Sequence, residues 1–261
     1  MTKVGIIGAG KIGGSLLLRL AESGGFDLGV SDIHPEQLRL YTENGIRTTS
    51  SNRELAEASD LLIVAVKPWD VTQVMQEISP SFRDTDKSVT SVAAGVSIAR
   101  ISESLPGGTA VLRVMPNVCA SVGLGSAVIT SNEEGRAALP TVMDIFRHVG
   151  DVQELPERLF DAATALHGSG PAYVALFADA LIQAGVREGI PRDVARRLVI
   201  GTIGGTSVLL KERSAHQVRD EVMTPGGTTA AAFVAMEKAG FVAAVYDGVE
   251  AATEKARGLG E

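Results

Sequence analysis

The sequence predicts an α/β fold in two parts: a mostly parallel sheet with helices on both faces, followed by an all-α region. Three observations support this prediction. In the first half of the 261 residues, short apolar runs alternate with helical or turn-rich stretches, which is typical of parallel sheets. A glycine-rich turn joins the first apolar run to a helix. Beyond Gly150 the alternation is expected to stop, and apolar helical stretches follow.

The composition is that of a globular protein. With 45% hydrophobic residues the chain can bury a sizeable core, and its length favours two domains at roughly 150 residues each. A net charge of −7 without a run of Lys or Arg argues against nucleic acid or an anionic membrane as a partner. Cys119 is the only cysteine, and no His, Cys or carboxylate spacing predicts a metal site. We therefore expect a cytoplasmic protein, since no segment resembles a signal peptide or a membrane span.

The first strand, over residues 4–7, ends in the loop Gly8-Ala9-Gly10-Lys11-Ile12-Gly13, and a helix is predicted over residues 15–20. The first glycine permits the turn, the second lets a pyrophosphate approach the backbone, and the third lets helix and strand pack closely. The helix N-terminus then faces the phosphates. This strand, turn and helix predict a Rossmann-type, doubly wound domain with a dinucleotide site on the loop.

The second strand, over residues 27–31, leads to Asp32, about 20 residues after the loop. A carboxylate there can accept hydrogen bonds from the adenosine ribose hydroxyls, and it would repel a 2′-phosphate. The coenzyme is therefore expected to be NADH rather than NADPH. The alternative is a surface aspartate that opens the turn over residues 32–35.

Four further strands are predicted over residues 61–66, 88–93, 110–114 and 126–130. Ligands of parallel sheets bind at the carboxyl ends of the strands. Those ends carry Lys67-Pro68, Ala94-Gly95 and Met115-Pro116-Asn117. Lys67 could contact the ribose or the nicotinamide, although a lysine that ends a strand is ordinarily only solvated.

The second half is predicted to be helical and too apolar to stand alone. Helices over residues 171–185 and 191–213 carry apolar side chains in nearly every direction, so both must be enclosed. About 100 residues of helix cannot enclose two such elements by themselves. We therefore predict an obligate homodimer through this half. The domains are expected at residues 1–156, which bind the dinucleotide, and 157–261, which dimerise and bind the substrate.

The hexapeptide Thr224-Pro225-Gly226-Gly227-Thr228-Thr229 runs straight into a helix-forming sequence. Paired glycines let backbone N–H groups converge, and a helix N-terminus is positive, so a carboxylate fits there. The alternative is an ordinary turn with a helix cap.

Together, a nucleotide domain and an anion cradle suggest hydride transfer to or from a small acid. Reduction of a C=N bond needs little further machinery, and the Thr229 hydroxyl could hydrogen-bond the ring nitrogen, although capping is the commoner role of Thr. His167 is the best-placed titratable side chain for proton donation, with a packed or solvent-facing histidine as the alternative. It precedes Gly168-Ser169-Gly170, which is interpreted as a glycine turn that enters a helix at Pro171.

Six motifs are spread over essentially the whole chain. They are GAGKIG at 8–13, AVKP at 65–68, AAGVS at 93–97, RVMPN at 113–117, GSGPAY at 168–173 and DEVMTPGGTT at 220–229. With these motifs the chain resembles the pyrroline-5-carboxylate reductase family, and the last two, in that order and distance, are specific to it. The resemblance implies NAD(P)H-dependent reduction of 1-pyrroline-5-carboxylate to proline, on dimers with interlocked helical domains that often assemble further.

The resemblance also implies site residues. The family's carboxylate-binding backbone falls on Gly226, Gly227 and Thr228, and the hydroxyl beside the imine nitrogen is that of Thr229. The implied cofactor contacts are Gly8, Ala9, Gly10, Lys11, Ile12, Gly13, Ser31, Asp32, Asn52, Ala65, Val66, Lys67 and Pro68.

Three departures from the family pattern bear on specificity. Asp32-Ile33 replaces the common Asn-Arg and removes a phosphate-binding guanidinium. Val118-Cys119 replaces Thr-Pro, and His167 replaces Ser. His167 and Val118-Cys119 leave open a reductase for a different cyclic imino acid. A nucleotide-binding regulatory homologue without activity is a further alternative, against which the intact TPGGTT argues. A β-hydroxyacid dehydrogenase is disfavoured. That class usually depends on a lysine in the first helix of its second domain, and residues 171–189 contain no lysine.

Overall fold

The structure, a computed structural model, describes residues 1–83 and 86–258. The chain forms two compact units. The first comprises Met1–Ser169 together with the C-terminal segment from Ala252, and the second comprises Gly170–Ala251.

Eight strands of the first unit form one sheet in the order β3-β2-β1-β4-β5-β6-β7-β8. All neighbouring pairs are parallel except β6 and β7, which are antiparallel. The chain reverses its direction of growth across the sheet between β1 and β4, which is the switch point where such sheets bind ligands. The strands are β1 (Thr2–Ile7), β2 (Phe26–Ser31), β3 (Arg47–Thr49), β4 (Leu61–Val64), β5 (Ser88–Ser91), β6 (Ala110–Pro116), β7 (Gly125–Ser131) and β8 (Gly150–Glu154).

Helices cover both faces of this sheet, because alternate strand residues point to opposite sides. Leu61 and Ile63 belong to the core on one face, and Leu62 and Val64 to the core on the other. The first core is closed by α1, α2 and α6, and the second by α3, α4 and α5. The helices are α1 (Lys11–Ser23), α2 (Pro35–Glu43), α3 (Asn52–Ala58), α4 (Val71–Ile78), α5 (Ile98–Ser102), α6 (Leu139–Arg147) and α7 (Phe160–Ala163).

The second unit is entirely helical in its described residues. None of the residues of α8, α10 or α11 is buried within the chain, and in α9 only Ala195 is. The helices are α8 (Gly170–Arg187), α9 (Arg192–Glu212), α10 (Ala215–Val222), α11 (Thr228–Lys238) and α12 (Phe241–Arg257), of which the last residues belong to the first unit.

The predicted α/β architecture with a helical second half is confirmed, and three local expectations are wrong. The alternation does not stop at Gly150, because β8 begins there and pairs with β7. The short strand β3 was not predicted. The expected glycine turn before Pro171 is a π-helical turn, Thr164–Gly168, followed by α8 from Gly170. The compact units divide after Ser169. The domain boundary expected at residue 156 stays a prediction.

Among the described residues, no single helix has the length and apolar composition that a membrane span requires. The helices α11 and α12 meet that requirement only when they are taken together, and the chain bends by 52° between them.

Candidate active site

The pairing register brings three predicted cofactor segments to one edge of the sheet. Ile7 at the end of β1 lies opposite Ser31 of β2 on one side and Val64 of β4 on the other. Gly8, Asp32 and Ala65 directly follow these three residues, so they meet at the switch point. Two backbone hydrogen bonds hold this edge, from Gly8 N to Ser31 O at 2.8 Å and from Ala65 N to Ile7 O at 2.7 Å.

The glycines of the loop have distinct structural roles. Gly8 has a φ of 99°, and a Cβ there would lie 2.7 Å from the Ala65 carbonyl oxygen. At Gly13 a Cβ would collide with the Gly8 carbonyl oxygen, which explains the close packing of α1 on the strand. Gly10 is the N-cap of α1, makes no side-chain cap and has open space around it. The uncapped helix N-terminus and the open backbone at Gly10 fit the pyrophosphate of a dinucleotide.

A buried tyrosine lies beneath the loop. A Cβ on Gly14 would collide with the Tyr41 hydroxyl. Burial raises the pKa of Tyr41, and the negative charge of Asp32 raises it further. The hydroxyl therefore stays protonated and neutral where α1 begins.

Asp32 is largely buried, with its side chain 10% exposed. One carboxylate oxygen accepts a hydrogen bond from Ala9 N at 2.7 Å, and the other accepts from His34 N at 2.9 Å. The second bond closes the turn over residues 32–35, which was the alternative role predicted for Asp32. The first was not predicted, and it ties the end of β2 to the glycine loop. Because a carboxylate oxygen accepts more than one hydrogen bond, both contacts leave capacity for a ribose hydroxyl.

The side chain of Asn52 is buried at the same edge. Its Oδ1 accepts from the Ser31 hydroxyl at 2.7 Å, and its Nδ2 donates to Glu77 Oε2 at 2.8 Å. A cavity of about 200 Å³ adjoins it. The cavity is lined by Ile7, Gly8, Asp32, Ile33, Asn52, Val66, Asp70, Gln73, Val74 and Glu77.

The remaining predicted cofactor residues follow β4. Ala65 and Val66 are half-buried, and Val66 lines the cavity. Lys67 is exposed and precedes the 3₁₀ turn Pro68–Asp70. Its side chain makes no hydrogen bond or ion pair with any residue in the described part of the chain, so it is free to meet a ligand.

Both ring nitrogens of His167 face backbone carbonyls. Nδ1 contacts Ala163 O at 2.5 Å, and Nε2 contacts Met115 O at 2.8 Å. The Asn117 side chain also donates to the His167 carbonyl at 3.1 Å. These contacts fasten the π-helical turn to the end of β6 and occupy both nitrogens. They favour a positioning role, and proton donation by His167 stays a prediction.

The anion cradle lies in the second unit, at the start of α11. Gly226 has a φ of 71°, which glycine adopts without strain, and Gly227 is the N-cap of α11 with no side-chain cap. A Cβ on Gly227 would collide with the Thr224 hydroxyl. Thr228 and Thr229 are the first two helical residues, so the capping alternative for Thr229 does not hold. The free N–H groups of this first turn suit a carboxylate.

Relatives of known function match the chain from end to end. A pyrroline-5-carboxylate reductase from Synechocystis is 38% identical over 267 residues, covering 99% of this chain and 98% of the relative. One from Thermus thermophilus is 37% identical over 266 residues, covering 99% of each. The chain belongs to the pyrroline-5-carboxylate reductase family.

Family models and solved structures agree with this membership. Residues 157–259 match the model for pyrroline-5-carboxylate reductase dimerisation, and residues 3–95 match that for F420-dependent NADP oxidoreductases. The reductase from Coxiella burnetii is similar with a TM-score of 0.94, at 29% identity over 100% of this chain and 99% of that one. The Plasmodium falciparum enzyme, solved with NADP bound, has a TM-score of 0.87 at 33% identity, over 100% and 98%.

Several residues that line the cavity beside Asn52 were not predicted from the sequence. Asp70, Gln73 and Glu77 lie on the turn before α4 and on α4 itself, where the sequence suggested no ligand. Their spacing of three and four residues places them on one helix face, which was the only available signal. Among the described residues, no group of three or more His, Cys, Asp or Glu side chains is arranged to hold a metal ion.

Proposed function

We propose that this protein reduces 1-pyrroline-5-carboxylate to L-proline with a nicotinamide coenzyme. One observation supports this above all: α11 begins at two glycines without a side-chain cap, in a chain whose other unit carries an uncapped dinucleotide loop. The first feature suits a carboxylate, and the second suits a pyrophosphate. The relatives that match the whole chain carry the same activity in their names.

The backbone N–H groups of Gly226, Gly227 and Thr228 hold the substrate carboxylate, and that of Gly227 also donates to Thr224 O at 3.0 Å. The Thr229 hydroxyl then hydrogen-bonds the ring nitrogen and orients the C=N bond. When bound, the coenzyme supplies a hydride, which converts the protonated imine into the secondary amine of proline. Little charge needs stabilisation, because the positive charge on the imine is already present on the substrate. The binding residues therefore contribute mainly orientation and exclusion of water.

Coenzyme contacts are proposed for the loop and for the ends of β2 and β4. The loop holds the pyrophosphate, Asp32 faces the adenosine ribose, and the segment after β4 flanks the cofactor. The proposed residues are Gly8, Ala9, Gly10, Lys11, Ile12, Gly13, Ser31, Asp32, Asn52, Ala65, Val66, Lys67 and Pro68.

NADH is proposed as the preferred coenzyme. Asp32 carries a negative charge at the ribose position, and its hydrogen bond from Ala9 N holds it beside the loop. A 2′-phosphate would meet that charge without an arginine to pair with it. The P. falciparum relative was solved with NADP bound, so both coenzymes are compared in the test of this proposal.

A homodimer through the C-terminal helices completes the proposal. The helices of the second unit leave large apolar side chains exposed, among them Leu176 at 72% and Tyr246 at 71%. Exposed apolar side chains in this number support a surface that a partner subunit covers. The cytoplasmic location stays a prediction from the sequence.

A different cyclic imine is the second candidate substrate. Val118 is exposed where the family commonly has Thr, in the segment after β6. The ratio of kcat/KM for five-membered and six-membered cyclic imino acids separates the two candidates. The proposal predicts a preference for the five-membered ring.

The test of the site compares Thr229→Ala with Thr229→Ser. Loss of a hydrogen bond that aligns the reacting bond is expected to lower kcat/KM about tenfold to a thousandfold in the alanine variant. Serine keeps the hydroxyl and should retain most of the activity. Equal activity in both variants and the parent would contradict the assigned role of Thr229.

A further inference from the structure

We propose that Glu77 is a specificity-determining residue for the coenzyme. It acts in two ways: it fixes the orientation of the Asn52 amide, and it adds a negative charge to the cavity beside the adenosine position. This inference rests on the proposed function only in taking the cavity as part of the coenzyme site.

The orientation of Asn52 depends on Glu77. The Asn52 amide lies between the Ser31 hydroxyl at 2.7 Å and the Glu77 carboxylate at 2.8 Å. A hydroxyl donates or accepts, so Ser31 tolerates either orientation of the amide. A carboxylate only accepts, so Glu77 requires the NH₂ group on its own side. The second N–H of that group stays available to a ligand, as a donor of fixed position.

The charges that line the cavity also disfavour a coenzyme with a 2′-phosphate. Its lining contains three carboxylates, from Asp32, Asp70 and Glu77. None of its described lining residues is a Lys or Arg. Beside this lining, His34 Nδ1 lies 3.1 Å from Asp32 Oδ1, and the exposed Lys67 directly follows Val66 of the lining. A 2′-phosphate would bring nearly two further negative charges towards these carboxylates, whereas a ribose hydroxyl would bring none.

Asp32 and Glu77 differ in how their charges are engaged. The Asp32 carboxylate accepts from two backbone N–H groups, which partly compensate its charge. Glu77 accepts a single hydrogen bond, from the Asn52 amide, so its charge is less compensated than that of Asp32. Glu77 is therefore the carboxylate whose replacement changes the coenzyme preference without disturbing the glycine loop.

The experiment measures dissociation constants of NADH and NADPH by fluorescence titration, without substrate. In Glu77→Gln, the ratio of the NADPH constant to the NADH constant is expected to fall about three- to tenfold, as for removal of one partly screened charge a few ångströms away. The fall should shrink at high ionic strength. Glu57→Gln, which removes an exposed carboxylate paired with Arg53, is the matched control and should leave the ratio unchanged.

A further variant separates the two effects. Asp70→Asn removes a cavity charge and leaves the Asn52 contacts intact, so its effect should be smaller than that of Glu77→Gln. An equal effect in both variants would overturn the orienting role of Glu77. A ratio unchanged in Glu77→Gln would overturn the whole inference. Both outcomes are independent of turnover, so a protein that binds NADH but does not reduce the imine would defeat only the proposed function.

Discussion

At Gly14 the space for a side chain is taken mainly by Tyr41, and the Ala9 carbonyl oxygen of the loop would lie 3.1 Å from a Cβ. The Cα of Gly14 faces the hydroxyl of the buried Tyr41, and a Cβ would overlap that oxygen. Gly14→Ala is therefore expected to lower the free energy of unfolding by about 1–3 kcal/mol, the usual range for overpacking. Tyr41→Phe removes the oxygen, so the double variant should recover most of the loss. Urea unfolding of the four proteins measures this coupling, and additive losses would contradict it.

His167 offers a residue-scale test of positioning against catalysis. His167→Ser leaves the Met115 and Ala163 carbonyls without the ring, so stability should fall by about 1–3 kcal/mol. Once folded, the variant should keep a kcat within about tenfold of the parent, since loss of a general acid costs more, about a hundredfold or more. The pH profile of kcat should keep its shape. A large loss of kcat together with a lost limb of that profile would show that His167 donates the proton.

At the scale of elements, a partly buried ion pair fastens the segment after β8 to the sheet. Arg113 of β6 is 7% exposed, donates from Nη1 to Glu157 Oε1 at 3.0 Å, and lies over the Phe160 ring. The same carboxylate oxygen accepts from Ile98 N at the start of α5. One side chain thus links a strand and two helical segments.

Glu157→Ala should therefore be strongly destabilising. It leaves the Arg113 charge buried and unpaired, which costs about 3–5 kcal/mol. The pair between Arg136 and Glu154 is exposed on both sides, and Glu154→Ala should cost at most about 1 kcal/mol. Chemical denaturation of the two variants makes the comparison. Equal losses would mean that burial does not set the strength of the Arg113 pair.

The elements that the sequence predicted are those with strong apolar runs. The strands β1, β4 and β6 contain buried residues on both faces, so their runs are continuous. The strand β8 was missed because its sequence, Gly-Asp-Val-Gln-Glu, buries only Val152. The strand β3 has three residues and no buried one. Edge strands of this kind are defined by their neighbours, which a local pattern does not reveal.

The candidate site could also be predicted only in part. The glycines of both ligand loops were predicted, because glycine in a short turn before a helix is visible in the local sequence. The hydrogen bond from Ala9 N to Asp32 and the link from Asn52 to Glu77 join residues 23 and 25 positions apart, so only the fold brings them together. The titratable side chain of His167 was visible in the sequence, whereas its contacts with the Ala163 and Met115 carbonyls were not.

At the scale of the molecule, the exposed apolar helices predict that assembly and stability are linked. Leu176→Glu on α8 places a charge on the proposed interface, so it should give monomers and a lower Tm. On an uncovered surface the same change would alter stability by no more than about 0.5 kcal/mol. Leu40→Glu, at a half-exposed leucine of α2, is the matched control.

Size-exclusion chromatography with light scattering measures the oligomeric state of the parent and of the two variants. The parent and Leu40→Glu should elute as dimers or larger assemblies, and Leu176→Glu should not. A parent chain that is a well-folded monomer at micromolar concentration would contradict the proposed dimer.

Turnover of the proposed substrate tests the account most directly. Oxidation of NADH and of NADPH is followed at 340 nm after addition of 1-pyrroline-5-carboxylate, and the product is identified by chromatography against L-proline. We expect oxidation of the coenzyme with one proline formed per coenzyme consumed, and a higher kcat/KM with NADH. Coenzyme binding without any oxidation on this imine would contradict the proposed function.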